Sequence, residues 1–258
     1  MSMTTPVEIE AAKRNSLIPL FENCPYDRVL IENVLEGYFG NAYADSAHQP
    51  TVARLDSGAF TLLGGNPLAA GVKDLFRLAP IGYVTPQTDE WRHALQDEFG
   101  AGITALPFTD FSPAVLAPTH LARLIRTVPP TFELRRIDRP LAEQLPPDLG
   151  NAQFFENFHS VEDFLGRGIG YCLVYQNKIV SAATSMARSR EAIDIEIETA
   201  PDFRKQGLAT VVGAKLVVHC LEQEIEPRWL AANAASERLA LKLGYVQGET
   251  YETFAIQA

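Results

Sequence analysis

Within the stretch Ile193–Cys220 a short basic turn stands between an acidic strand and an apolar helix. Arg204, Lys205, Gln206 and Gly207 make the turn, and Leu208 opens the helix. The chemistry this arrangement allows is anion binding. The first backbone N–H groups of a helix have no intrahelical acceptor, and the helix dipole places partial positive charge at the same end. Small residues at Gly207 and Ala209 let a diphosphate approach those groups closely. The spacing alone does not choose between phosphate ligands, and a helix start with a glycine is also common in any α/β protein. Neither the phosphate loop GxxxxGKS/T nor the dinucleotide fingerprint GxGxxG is present. Just before the turn, Asp194, Glu196 and Glu198 alternate with Ile193, Ile195 and Ile197, so the three carboxylates share one face of a strand. Such a face either takes up a proton from a reacting amine or is simply solvated.

These residues need elements to position them. Pro201, with no N–H for a ladder, ends the strand Ile193–Thr199. The helix from Leu208 to Gln223 is apolar almost all round, with a narrow polar stripe of Lys215, His219 and Glu222. His219 is therefore expected as a solvated or paired surface residue. A strand over Arg228–Ala232, Asn233 in the N-cap position, a helix over Ala234–Leu243 and Gly244 as its terminator follow. Upstream, Thr131–Ile137, Gly170–Tyr175 and Ile179–Met186 read as strands leading into Ile193–Thr199 as a meander. Between them come a short helix Leu141–Leu145 ended by Pro146-Pro147, an aromatic segment Asn151–His159 and a helix capped by Ser160.

The first half reads as a helix capped by Asp27 and stopped by Gly40, a loop Asn41–Pro50 and a hairpin of Val52–Leu55 with Ala59–Leu63. A short helix within Asn66–Arg77, a strand Pro80–Thr85, a helix Thr88–Phe99, a strand Ala101–Phe108 and a helix Pro113–Arg126 complete it. Val128-Pro129-Pro130 is a stiff linker. It divides the chain into an N-terminal α/β domain, 1–129, and a C-terminal domain, 130–258.

The basic turn has a second motif downstream. Strand–RxxGxA–helix (Arg204, Gly207, Ala209) followed by strand–NxxS–helix–LGY (Asn233, Ser236, Leu239, Ala240, Leu243, Gly244, Tyr245) resembles the GCN5-related N-acetyltransferase (GNAT) superfamily. The resemblance covers the second half, and the first half is similar, more weakly, to the extra region of a two-part subfamily. It implies a mixed α/β (α+β) fold with a central, mostly antiparallel, twisted sheet flanked by helices. It also implies acetyl-CoA as co-substrate and no metal. By position, backbone groups of Ile197, Glu198 and Thr199 would pair with the pantetheine arm. Lys205, Gln206, Gly207, Leu208, Ala209 and Thr210 would cradle the diphosphate, with Arg204 beside them. Asn233 and Ser236 would complete the cofactor contacts. Glu196, then Glu198, then Asp194, is the preferred general base. The chain departs from the family at Ala240, where many members carry a tyrosine that protonates the leaving thiolate. Tyr251, a water, or unaided departure of the thiolate would have to replace it.

The expected activity is acetyl transfer to a primary amine of a small molecule. The alternative is an acyl-CoA-binding sensor or structural module without turnover. The N-terminal half, with a hairpin, a strand, the turn Thr85-Pro86-Gln87 and a helix, loosely mirrors the C-terminal half and reads as a degenerate copy that binds no CoA. The 258 residues carry a net charge of −10, which argues against nucleic acid and anionic membranes as partners. Cys24, Cys172 and Cys220 lack metal-ligand spacing, so no metal is expected; Cys172 and Cys220, in apolar runs, suit buried thiols, and Cys24, ahead of a proline, is left open. No apolar run reaches the length of a membrane span and no signal peptide is evident, so a cytoplasmic protein is expected. A second copy of the chain, in a homodimer, is the one protein partner admitted.

Overall fold

The computed structural model describes residues 5–78, 81–150 and 153–256. Pro80 and Asn151, where a strand and the aromatic segment were expected to begin, lie outside them. Two compact units emerge: Met1–Pro107 with Tyr251–Ala258, and Phe108–Thr250. The division does not fall at Val128–Pro130. The segment before that linker holds a helix whose Leu121, Leu124 and Ile125 pack in the core of the second unit with Ala214 and Val217. A proline pair stiffens a chain, but burial decides which unit a segment joins.

The first unit opens with β1 (Val7–Glu8), α1 (Ile18–Phe21) and α2 (Arg28–Leu35). β2 (Asn41–Ala44), β3 (Val52–Ser57) and β4 (Phe60–Gly65) follow, then α3 (Val72–Phe76), β5 (Gly82–Val84) and α4 (Asp89–Phe99). β1 to β4 form an antiparallel meander, β4 meets β5 in parallel at Phe60↔Tyr83, and β5 pairs antiparallel with Phe254–Ile256 near the C-terminus. The loop expected over Asn41–Pro50 thus begins as a strand. Its small residues Ala42 and Ala44 are fully buried, and so low a side-chain volume left no strand signature in the sequence.

The second unit continues from β6 (Ile103–Ser112) through α5 (Pro118–Ile125), β7 (Glu133–Arg136), α6 (Arg139–Leu149), α7 (Val161–Arg167), β8 (Gly170–Tyr175) and β9 (Lys178–Arg188). β10 (Ala192–Thr199), α8 (Leu208–Glu222), β11 (Glu226–Ala231), α9 (Ala234–Leu243) and β12 (Val246–Ile256) complete the chain. β7 to β10 make an antiparallel meander, β10 runs parallel to β11, and β11 is antiparallel to β6. Each unit therefore has the same strand order: a four-strand meander, one parallel step, and an antiparallel sixth strand taken from the other half of the chain.

Because successive strand residues face opposite ways, the second unit buries both sheet faces. Tyr171, Leu173, Val180 and Ala183 pack under Leu208, Val211, Val212 and Leu216 of α8. Cys172, Ile179 and Ala182 pack under Leu141, Leu145 and Phe164 of α6 and α7. Here α6 differs from expectation: it runs through Pro146 and Pro147 to Leu149. Asp138 caps it by accepting from Leu141 N, and Leu149 extends the apolar face of Leu141, Ala142 and Leu145 into the core. That burial offsets the donors the prolines remove.

α8 comes close to its neighbours at Gly213. A Cβ there would lie 3.0 Å from Ile197 Cδ1 and 3.2 Å from Leu243 Cδ1. Gly213→Val is expected to overpack this crossing and cost about 1–3 kcal/mol, read as a lower urea midpoint at unchanged m-value.

Candidate active site

The site lies in the second unit, where two parallel strands part. β10 and β11 are in register at Ala192↔Glu226, Ile193↔Pro227 and Asp194↔Arg228, and no further. Beyond that point β10 pairs with β9 as far as Thr199, and β11 with β6 over Trp229–Ala231. Two features open the fork. Between Asp194↔Ala187 and Ile195↔Ser185 the register skips Met186, a bulge that bends the pair. Pro227 brings no N–H to the parallel ladder. The side chains of Ile195 and Ile197 then wedge between the α8 core and the core of α5 and α9, touching both.

At the end of β10 a 3-10 turn over Pro201–Phe203 leads into Arg204–Gly207. Lys205 (φ 61°) and Gly207 (φ 80°) are both left-handed, so the backbone curls into a concave nest. For Lys205 that conformation costs about 1–2 kcal/mol. Among the described residues, no backbone carbonyl accepts from the N–H groups of Lys205 to Ala209. Thr210, expected in the cradle, gives its N–H to Gly207 O (3.1 Å). The donors of Lys205, Gln206, Gly207, Leu208 and Ala209 thus stand without such a partner at the positive end of a 15-residue helix.

The three carboxylates of β10 have different surroundings. Asp194 lies beside Arg228, whose guanidinium binds Asp110 (Nη2–Oδ1 2.8 Å) and reaches Glu226 (Nη1–Oε1 3.7 Å). Burial works against the Arg228 cation, but Asp110, Asp194 and Glu226 outweigh it and its pKa is raised. Glu198 Oε1 accepts from Thr199 N (2.9 Å) and from Arg204 Nη2 (3.0 Å). Arg204 Nε in turn donates to Thr199 O (3.0 Å). Glu196 sits between the two, midway along the open length of β10 and opposite Thr184 on β9.

On the other arm of the fork, Asn233 Oδ1 accepts from the N–H groups of Ala235 and Ser236, both at 3.0 Å, and so caps α9. Its Nδ2 keeps its donor capacity. Ser236 Oγ accepts from Trp229 Nε1 (3.0 Å), which ties α9 to β11. Thr109 Oγ1 donates to Glu237 Oε1 and lies 3.0 Å from Thr250 Oγ1. The partners Asp110, Arg228, Trp229 and Thr109 were not singled out in the sequence. They come from β6 and β11, more than a hundred residues apart, and no local spacing signals them.

A family model described as GNAT acetyltransferase matches residues 18–254. The chain belongs to this family. A GCN5-related N-acetyltransferase-like protein of Streptococcus suis 89/1591 is 27% identical and superposes with a TM-score of 0.84, over 96% of this chain and 100% of that one. A tandem GNAT protein from the clavulanic acid biosynthesis pathway shares the fold at 12% identity and a TM-score of 0.61, over 96% and 97% of the two chains. An uncharacterized N-acetyltransferase, YdfB of Bacillus subtilis (strain 168), is 30% identical over 120 residues, 46% of this chain and 46% of its own. The chain thus spans about half the length of that curated relative.

As a GNAT protein the chain places no tyrosine where many members carry one. Ala240 is fully buried in the core of α5 and α9. Tyr245 is 3% exposed and donates to Pro227 O (2.9 Å), and burial pushes its hydroxyl pKa well up. Tyr251 belongs to the other unit, stacked on Tyr26 at 3.9 Å. His219 is paired, its Nδ1 2.9 Å from Tyr171 Oη, and burial, then Arg136 and Lys215, lower its pKa. Cys172 and Cys220 are fully buried, which raises each thiol pKa to about 12. Among the described residues no group of three or more His, Cys, Asp or Glu could hold a metal, and no helix is long and apolar enough to cross a membrane.

Asn233→Ala should cost about 1 kcal/mol of stability through loss of the cap, whereas Asn233→Asp keeps the capping oxygen and should stay within a few tenths of the parent. Chemical denaturation of the two variants side by side checks both.

Proposed function

We propose that this protein is an acetyl-CoA-dependent N-acetyltransferase acting on a primary amine of a small molecule in the cytoplasm. The observation that carries this reading is the row of five N–H groups at Lys205–Ala209, without carbonyl partners, adjoining an opened strand edge. A nest of that size suits a diphosphate. A strand edge offers alternating donors and acceptors to a chain of amides such as pantetheine. Asn233 Nδ2, left over from capping, is a further amide contact.

Acetyl-CoA supplies an activated thioester, so this chain's own work is largely positioning. Glu196 receives the proton of the acceptor ammonium, directly or through one water. Glu196 lies on the same strand face between Asp194, beside the Arg228 guanidinium, and Glu198, bonded to Thr199 N and Arg204, a central place on the opened length of β10. With Ala240 buried and Tyr245 bonded to Pro227 O, the thiolate departs unaided or with a proton from water. The same two observations favour the second reading, an acyl-CoA-binding module without turnover. The net charge of −10 disfavours nucleic acid as a partner.

One acetyl-CoA per chain is expected. In the first unit the counterpart of Arg204–Gly207 is the turn 66–71 between β4 and α3, not Thr85-Pro86-Gln87. There the N–H groups of Asn66, Leu68 and Ala69 bond to Thr51 O, Asn66 Oδ1 and Asn66 O, and α3 has five residues. Native mass spectrometry showing two equivalents bound would contradict this.

Acetyl-CoA at a hundredfold excess over Kd should stabilise the protein by about 2.7 kcal/mol. Glu196→Gln should keep that stabilisation while lowering kcat by roughly 10²-fold, measured by release of free CoA with a panel of amines. Thermal stabilisation without turnover on any amine would favour the binding module; no stabilisation at all would refute both readings.

A further inference from the structure

We propose that the Glu198–Arg204 ion pair is a latch on the acyl-CoA slot: it occupies the strand-edge groups of Thr199 that pantetheine would use, and it yields when the ligand binds. The proposal rests on the acyl-CoA reading above.

In an antiparallel pair, alternate residues turn their N–H and C=O toward the partner strand and away from it. Ala200 N donates to Val180 O of β9 (2.9 Å), so Thr199, one residue earlier, turns both its backbone groups away from β9. Both are taken by side chains. The N–H goes to Glu198 Oε1 (2.9 Å), and the C=O accepts from Arg204 Nε (3.0 Å). Arg204 Nη2 closes the ring on the same Glu198 oxygen (3.0 Å). Together the carboxylate and the guanidinium present to Thr199 one acceptor and one donor, the pattern that a passing amide chain would present.

The strand end beneath the latch is pinned. Ser181 Oγ lies 2.8 Å from Thr199 Oγ1 and donates to Glu198 O (3.2 Å), so Thr199 keeps its place whether or not the latch is closed. The latch itself is accessible. The side chain of Arg204 is 58% exposed and that of Glu198 30% exposed. Exposed ion pairs are weak and their side chains exchange readily with water, which suits a pair that must open for each ligand. Arg204 also enters the nest sequence directly before Lys205, so opening the latch leaves the cradle backbone untouched. The pair therefore sets how tightly the pantetheine end is held without affecting the diphosphate end.

The test measures binding of acetyl-CoA and of ADP, which has the diphosphate but no pantetheine arm, to the full chain by calorimetry. The proteins are the parent, Glu198→Ala, Arg204→Ala and the double variant. Each single variant frees one of the two Thr199 groups and should tighten acetyl-CoA by about threefold and leave ADP unchanged, and the double variant, which frees both, should tighten acetyl-CoA further. Weaker binding of both ligands by Arg204→Ala would overturn the proposal and make Arg204 a diphosphate contact. Unchanged affinity with a fallen kcat in Glu198→Ala would overturn it in favour of Glu198 as the base. If the parent binds ADP and acetyl-CoA equally, no pantetheine contact exists and the latch has no object. If nothing binds to any variant, the acyl-CoA reading fails as well, an outcome distinct from the other three.

Discussion

The separation of β10 from β11 after Asp194 and Arg228 is the constraint on which the rest of the site depends. A buried strand edge normally has to be paired, because an unmet N–H or C=O costs about 1–3 kcal/mol. Here the strands part over a short distance, and several local features support the separation. The bulge at Met186 bends the β9–β10 pair, Pro227 withholds a donor, and Ile195 and Ile197 place their side chains into two adjoining cores at once. Gly213 lets α8 approach that wedge closely enough to hold it. The fork is thus set by packing on one sheet face while polar groups are left for chemistry on its edge and on the other face.

The fork gathers like charges in one place. Three carboxylates on β10 and Asp110 on β6 would repel one another in one small region. Arg228, half-buried at the vertex, relieves this by bridging Asp110 and Glu226 beside Asp194. Arg204 does the same at the mouth with Glu198. The guanidinium groups sit at the two ends of the acidic row and Glu196 lies between them.

Much of this was legible in the sequence because it is local. The alternation of Ile193 to Glu198, the glycine at 207 and the cap at Asn233 each state a backbone conformation within a few residues, and the structure has the corresponding strand, left-handed turn and capped helix. What was not legible is non-local or depends on volume. Asp110 meets Arg228 only because β6 returns beside β11. The unit boundary lies inside β6 and β12, since burial of α5 outweighs the stiffness of Pro129-Pro130. Pro146 and Pro147 read as a stop, yet the apolar face of α6 continues past them. The contacts of the Arg204 guanidinium with Thr199 O and Glu198 Oε1 likewise depend on how the turn folds back on the strand end.

The two units show that topology alone does not make a site. Both have a meander, a parallel step and a borrowed sixth strand, and both step from a strand end through a turn into a helix. In the first unit that turn spends its donors on Thr51 O and on Asn66, and the helix it enters has a single turn. Gly64, at the end of β4, has Leu20 O and the Phe21 ring within 2.7 Å of where a Cβ would sit, so α1 already lies against the strand. In the second unit, among the described residues, the turn's donors meet no backbone carbonyl, the helix has four turns, and the end of the β10 edge at Thr199 is met by an ion pair on side chains that water can reach. The difference between a scaffold and a binding site lies in where the backbone hydrogen bonds go.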